Sequence, residues 1–300
     1  MRGGLLNNVV GGIACAALLC ATGCGGNGSS IDGGPSQRLV SISATRELVL
    51  TCRGRGSPTV VFISGARGAF DDWTHIVSRD GGPPEPSAAA VFGQVAQLTR
   101  ACAYDRPGTE NFDGRPTRST PVLQPTDAAD GVADLYALLS AARVPGPYVL
   151  VAHSLGGVIA YLYAAEHAEH VAGLVMVDPG SAFLASTLGA AQWASFVRAA
   201  RALGDPITTE AHDYERSVAE IGAAPAVVGV PATVLTADMP FDFGAGTEAA
   251  TWRAWGEAQA RLAAQLHARH VTDTDSGHYL AGEQPALVTR EIRAIVERSR

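Results

Sequence analysis

The stretch Val149-Leu150-Val151-Ala152-His153-Ser154-Leu155-Gly156-Gly157 decides the fold. A run of β-branched and aliphatic residues ends at a serine set among small neighbours. Helical spacing begins at once with Val158, Ile159 and Leu162, followed by Ala164 and Ala165. A short apolar run before a breaker reads as a buried strand, and the three-and-four spacing reads as a helix. The segment is therefore strand, sharp turn and helix, with Ser154 at the apex. Ala152 and Gly156 stand two places either side of the serine. In so tight a turn the strand end and the helix start nearly touch, which excludes bulk at both positions. The turn strains the serine backbone and lifts the hydroxyl clear of the sheet, at a helix N-terminus whose dipole favours negative charge.

This is the arrangement of a nucleophile elbow, with Ala in place of the usual first Gly. A hydroxyl is a poor nucleophile until a base takes its proton. The chain must then also supply a histidine, a carboxylate and donors for a developing negative oxygen.

Composition leaves room for these. The chain has 300 residues, 47% of them hydrophobic and 17% charged, enough for a large core. Net charge is −7 and no basic cluster is present, which argues against a nucleic-acid partner. No metal-ligand cluster and no cofactor motif is evident in the sequence.

The N-terminus reads as a targeting segment. Arg2 is a minimal charged region, residues 9–21 are apolar, and Ala21-Thr22-Gly23 put small residues before Cys24. This resembles a bacterial lipoprotein signal, with Ala21 where such signals carry Leu; an ordinary secretory signal is the alternative. The apolar run is too short to span a bilayer. The expected organisation is a signal peptide over 1–24, a flexible linker over 25–37 and a globular domain over 38–300. Cys24 would be the lipidated first residue of an exported, membrane-anchored or periplasmic protein. Cys15 and Cys20 leave with the signal, so two cysteines remain, Cys52 and Cys102. An even number suits an oxidising compartment.

Strand and helix patterns alternate along the domain, which predicts a mostly parallel sheet with helices on both faces. Strands are expected at 39–43, 48–52, 59–63, 101–104, 148–151, 171–177, 232–236 and 270–272. Helices are expected at 88–98, 128–142, 247–266 and 285–296, the last with Pro285 at its start. Trp252 and Trp255 read as core packing on the third of these. Residues 181–228 interrupt the alternation as two or three short helices, placed as a small lid above the elbow.

Four stretches in matching order now resemble the α/β-hydrolase superfamily, over about residues 38–300. They are Phe62-Ile63-Ser64-Gly65-Ala66, Tyr104-Asp105-Arg106-Pro107-Gly108, the Ser154 elbow, and Ser276-Gly277-His278. The resemblance implies an α/β-hydrolase fold, a mostly parallel eight-stranded sheet with helices on both faces. It also implies the strand order 1-2-4-3-5-6-7-8. That order sets the strand ending at Cys52 beside the one starting near Cys102, so the two are expected to form a disulfide.

Of the eight histidines, His278 is the base candidate. It sits in an Asp275-Ser276-Gly277 turn after the last strand and before the closing helix. His153 is expected to point away from the substrate, and His167 and His170 to be solvated. The oxyanion donors are expected to be the backbone N–H groups of Leu155 and Ala66. Two aspartates compete for the acid. Asp178 directly follows the strand 171–177, and the Asp178-Pro179 pair resembles that of lipases. Asp238 follows the next strand, the more usual place in this superfamily. Asp178 is favoured and Asp238 is the alternative. Asp105 and Arg106 read as a structural ion pair near the pocket.

These residues imply a serine hydrolase that cleaves carboxylic esters through an acyl-enzyme on Ser154, with a small-molecule ester as substrate and no cofactor. The same set would serve a lactonase, thioesterase, acyltransferase or perhydrolase. A reading from another class is a non-catalytic, lipid-anchored binding protein on a hydrolase scaffold.

Overall fold

The computed structural model describes residues 37–78, 82–202, 205–240 and 249–300. The expected signal peptide with Cys24, and the expected linker up to residue 36, lie outside the described residues. Eight strands form one sheet: β1 (Arg38–Ser41), β2 (Glu47–Arg53), β3 (Thr59–Ile63), β4 (Ala101–Asp105), β5 (Tyr148–His153), β6 (Val171–Val177), β7 (Ala232–Leu235) and β8 (Arg269–Val271). Their order is β1-β2-β4-β3-β5-β6-β7-β8. The pairs β1–β2 and β2–β4 are antiparallel and the rest are parallel. The expected fold class and strand order are those observed.

The central strands are apolar throughout because both faces are covered. β3, β4 and β5 are buried at every position. Their side chains still alternate. Val61, Ile63, Leu150, Ala152, Leu174 and Met176 join one core, and Val60, Phe62, Val149, Val151, Val175 and Val177 join the other. Helices α2 (Ala128–Ala141) and α3 (Leu155–Glu166) cover the first face, through Leu135, Leu138, Ile159 and Leu162. Helix α1 (Val91–Val95) and the closing helix (Pro285–Arg298) cover the second. At roughly 25 cal/mol per Å² of apolar surface, each buried Leu, Ile or Val contributes about 1.5–3 kcal/mol.

Local chemistry sets the helix ends. Asp127 caps α2, accepting from the Asp130 N–H at 2.8 Å while Asp130 accepts from the Asp127 N–H at 3.2 Å, a reciprocal capping box. Helix α1 is shorter than the expected 88–98. The Ser87 hydroxyl accepts from the Ala89 N–H at 3.1 Å and the Ser87 carbonyl from the Ala90 N–H at 3.1 Å, a local turn that competes with the helix.

The segment after β6 holds three helices, α4 (Leu184–Leu188), α5 (Ala190–Ala202) and α6 (Tyr214–Ala223). Helix α7 (Ala249–Gln265) follows β7 and packs on α4 through Leu184, Leu188, Ala254, Trp255 and Ala258. The short α8 (Leu280–Glu283) and α9, the closing helix, end the chain.

Cys52 and Cys102 face each other directly across β2 and β4 and are joined by a disulfide, with Cα atoms 4.1 Å apart. Among the described residues, no helix is long and apolar enough to cross a membrane.

Candidate active site

The elbow is built as its sequence requires. Ser154 lies between β5 and α3 with φ 50° and ψ −120°, a backbone region that costs about 1–3 kcal/mol and persists only where its surroundings enforce it. Here the Ser154 N–H donates to the Val177 carbonyl at 3.3 Å, and the Ser154 carbonyl accepts from Gly157 at 2.9 Å and Gly180 at 2.6 Å. Gly156 is obligatory by contact: a Cβ there would sit 2.4 Å from the Ile63 carbonyl oxygen.

Three side chains predicted separately come together. His278 Nε2 is 3.0 Å from Ser154 Oγ, and His278 Nδ1 is 2.6 Å from Asp178 Oδ2. Asp178 is fully buried, with φ 41°. Its Oδ1 accepts from the Ala237 N–H at 3.0 Å and Gln259 Nε2 at 2.8 Å, and its Oδ2 also accepts from Trp255 Nε1 at 3.1 Å. A carboxylate fixed this way accepts a hydrogen bond from Nδ1–H, which keeps that proton on Nδ1 and leaves the Nε2 lone pair facing the hydroxyl.

Asp238 is in the neighbourhood but not on the imidazole. Its carboxylate accepts from the backbone N–H groups of Thr274 (3.1 Å), Asp275 (3.0 Å) and Ser276 (2.9 Å), and from the Thr274 hydroxyl (3.2 Å). Burial raises its pKa, but these backbone bonds outweigh that, and the group ends below the ordinary aspartate value. It tethers the loop that carries His278.

His153, next to the serine, has partners of its own. Its Nε2 bonds the His278 carbonyl at 2.8 Å, and its ring centroid is 4.6 Å from that of His278. Burial first, then the neighbouring His278, lowers its pKa to about 3. A neutral imidazole facing a carbonyl must carry its proton on Nε2. His153 thus holds the His278 backbone.

Arg106 departs from expectation: its partner is Glu210, not Asp105. Nε meets Oε1 at 2.6 Å and Nη2 meets Oε2 at 2.9 Å, with side chains only 5% and 3% exposed. Asp105 instead accepts from the Phe70 N–H at 2.8 Å and the Thr117 hydroxyl at 3.1 Å. Burial works against the Arg106 charge, but Glu210 overrides it and the guanidinium pKa is raised.

Ala66 lies in the loop after β3 and Leu155 opens α3. Among the described residues, neither backbone N–H is taken by an acceptor. Beside the elbow, a cavity of about 340 Å³ lies among α3, α6 and α7, lined by Val158, Tyr161, Phe183, Ile221 and Leu262 among others.

Four other histidines have structural partners. His212 is buried against the Ser217 hydroxyl at 2.9 Å, and His270 Nε2 meets the Thr236 hydroxyl at 2.9 Å. His167 and His170, expected to be solvated, are half-buried and stack with Tyr136 at 4.6 and 5.9 Å. With Glu169 they bring three ligand atoms within 4.8 Å of one another, a cluster the sequence reading missed. It lies at the far end of α3, about 18 Å along the helix from Ser154 at 1.5 Å per residue.

Residues 60–298 match the Alpha/beta hydrolase family. The chain belongs to that family. Among curated relatives, it is 41% identical over 83 residues to an uncharacterized protein of Schizosaccharomyces pombe, covering 28% of this chain and 14% of that one. It is 28% identical over 127 residues to the uncharacterized protein YqjL of Bacillus subtilis, 42% of each chain. The matched stretch thus spans less than half the length of either relative.

Among solved structures, this family member is similar to carboxylesterase CesB of Bacillus subtilis, with TM-score 0.54 and 16% identity over 87% of this chain and 91% of that one. It is also similar to a thermophilic esterase of Thermogutta terrifontis, with TM-score 0.55 and 18% identity over 88% and 99%. Naproxen esterase of Bacillus subtilis gives TM-score 0.53 and 15% identity over 87% and 91%. At these identities the likeness is one of fold.

Sequence reasoning missed Trp255 as more than packing, and it missed Gln259, Glu210 and the work of His153. A signal existed for two of them. Trp255 and Gln259 stand four apart, on one helical face with Ala258 and Leu262, and an amide within an apolar stripe calls for a buried polar partner.

Proposed function

We propose that this α/β-hydrolase is a serine esterase acting on carboxylic esters through an acyl-enzyme. The observation that carries the reading is the continuous chain from Ser154 Oγ to His278 Nε2 at 3.0 Å and from His278 Nδ1 to Asp178 Oδ2 at 2.6 Å. Ser154 Oγ bonds to the ester carbonyl carbon as His278 Nε2 takes its proton. The carbonyl π pair moves onto oxygen, where the Ala66 and Leu155 N–H groups receive it. The intermediate collapses, the carbon–alkoxy bond breaks, and His278 returns the proton to the leaving alcohol. Water then repeats the sequence on the acyl-enzyme, releasing acid and free serine. Asp178 keeps the imidazole in the reactive tautomer and balances its charge once protonated. The esterases among the similar structures agree with this reading.

The acyl portion would lie in the apolar cavity beside Gly157 and Gly180. The disulfide supports an oxidising location, and we take the chain to act outside the cytoplasm, held by a lipid on Cys24.

The test is labelling by a fluorophosphonate together with a p-nitrophenyl ester series of rising chain length. Wild type should label and turn over esters; Ser154→Ala should stay folded and do neither. A Ser154→Ala protein that keeps most of its turnover ends the proposal. A wild type that neither labels nor turns over would favour the binding-protein reading. Gly222 lines the cavity and its Cβ would meet nothing within 4 Å. Gly222→Leu should therefore lower kcat/KM for long-chain esters relative to acetate.

A further inference from the structure

We propose that Arg106 and Glu210 are positioning residues that aim the oxyanion donor of Ala66, so that the lid segment sets the geometry of the reaction. This rests on the esterase reading of the site and asks what holds one of its parts.

Glu210 lies between α5 and α6, far in sequence from the loop after β3. Arg106 directly follows β4. Their buried, two-point pair closes around the 64–67 loop. Arg106 Nη1 donates to the Ser64 carbonyl at 2.8 Å, and Nη2 donates to the Gly65 carbonyl at 2.6 Å. Glu210 Oε2 accepts from the Arg67 N–H at 2.5 Å.

Peptide geometry gives these contacts their meaning. The Gly65 carbonyl and the Ala66 N–H belong to one planar trans unit, so they point in opposite directions. Holding that carbonyl on Arg106 turns the Ala66 N–H away from the ion pair. The next peptide begins at the Ala66 carbonyl and ends at the Arg67 N–H, which Glu210 holds. Both peptides flanking the Ala66 Cα are thus fixed by one ion pair. The Gly68 N–H also donates to the Gly65 carbonyl, at 3.2 Å. That bond is internal to the loop and moves with it. The Arg106–Glu210 pair ties the loop to β4 on one side and to the lid on the other.

Stability alone does not account for the pair. Apolar residues of similar volume often replace a buried ion pair with no loss of stability, because both charges must be stripped of water. A pair that instead spends its donors and acceptor on three peptides of one loop is suited to fixing that loop. Neither residue is required to touch substrate.

The experiment compares wild type, Glu210→Gln and the double variant Arg106→Met/Glu210→Met, each first shown folded by circular dichroism and thermal melting. The double variant avoids leaving one charge buried alone. Its kcat should fall about a hundredfold, in the range seen when an oxyanion donor is lost, and that of Glu210→Gln about tenfold. KM should stay within about twofold. Inhibition by phenylboronic acid, whose tetrahedral adduct on Ser154 places an oxygen in the oxyanion site, should weaken in step with kcat. The shape of the pH profile should not change.

A folded double variant with near-wild-type kcat overturns the proposal, and so does a loss confined to KM. If the double variant does not fold, Glu210→Gln decides alone, and unchanged kcat overturns the proposal. Wild type that labels with fluorophosphonate beside fully active variants removes this proposal only. Wild type inert to both fluorophosphonate and esters removes the parent reading and this one with it.

Discussion

Asp178 and Asp238 follow adjacent strands, β6 and β7, and both carboxylates serve His278. They do so in different ways. Asp178 is fully buried and bonds the imidazole itself, backed by Ala237, Trp255 and Gln259. Asp238 is exposed and bonds three backbone N–H groups of residues 274–276. One fixes the ring and its tautomer, the other fixes the loop that delivers the ring. The end of β7 takes part in both, since Ala237 donates to Asp178 while its neighbour Asp238 tethers the loop. Proximity to a histidine therefore does not identify a triad acid; a hydrogen bond from the imidazole Nδ1–H does.

The largest expected effect breaks the comparison if it fails. Asp178→Asn replaces an acceptor with an amide that can donate to Nδ1, favouring the tautomer whose proton blocks Nε2. Turnover should drop by ~10⁴-fold with the fold retained. The measurement is kcat on a p-nitrophenyl ester for the folded variant. A loss smaller than that from Asp238→Asn would exchange the two roles.

The second effect tests the backing of Asp178. Gln259 is fully buried and donates to both Asp178 Oδ1 and the Pro179 carbonyl. Its own Oε1 has no partner. Gln259→Leu removes one hydrogen bond to a charged group, and with it an unpaired buried acceptor. A bond to a charged group contributes about 1.5–3 kcal/mol, which as lost orientation of Asp178 corresponds to roughly ten- to a hundredfold in kcat. The melting temperature should fall only modestly, because the removed orphan acceptor offsets part of the loss of the two hydrogen bonds. A large fall in melting temperature with kcat intact would make Gln259 a packing residue.

What the sequence made legible follows from range. The elbow at Ser154 was readable because its constraint is local: strand, turn and helix lie within 19 consecutive residues, and Gly156 is demanded by contact with Ile63. His278 was readable from its turn, and Asp178 from its Pro179 neighbour. The donors that make Asp178 a fixed anion were not, since Ala237, Trp255 and Gln259 lie 59, 77 and 81 residues away. Glu210 reaches Arg106 across 104 residues from within a segment whose helices could be located but not docked. The partner of His153 was not legible, because it is the backbone of a loop 125 residues on. The alternating cores were legible as strands, whereas the helix at 91–95 was overextended because a turn at Ser87 delays its start and short i→i+3 turns replace the helix after Val95.

The smallest effect sharpens the comparison by pH. Asp238→Asn keeps one carbonyl-type acceptor and loses the charge, so kcat should fall only a few-fold, as a loop perturbation would. The folded Asp238 pKa lies below its unfolded value of about 3.9. A depressed acid stabilises the fold above the unfolded pKa, and that contribution disappears as pH falls through the folded one. Wild type should therefore lose part of its melting temperature between about pH 4.5 and pH 2.5. The Asn variant, already lower at pH 7, should show a shallower decline over that window. Thermal melts of both proteins at half-unit pH steps measure it. Parallel curves would mean that the carboxylate charge does not hold the 274–276 loop, and the division of labour between the two aspartates would then reduce to Asp178 alone.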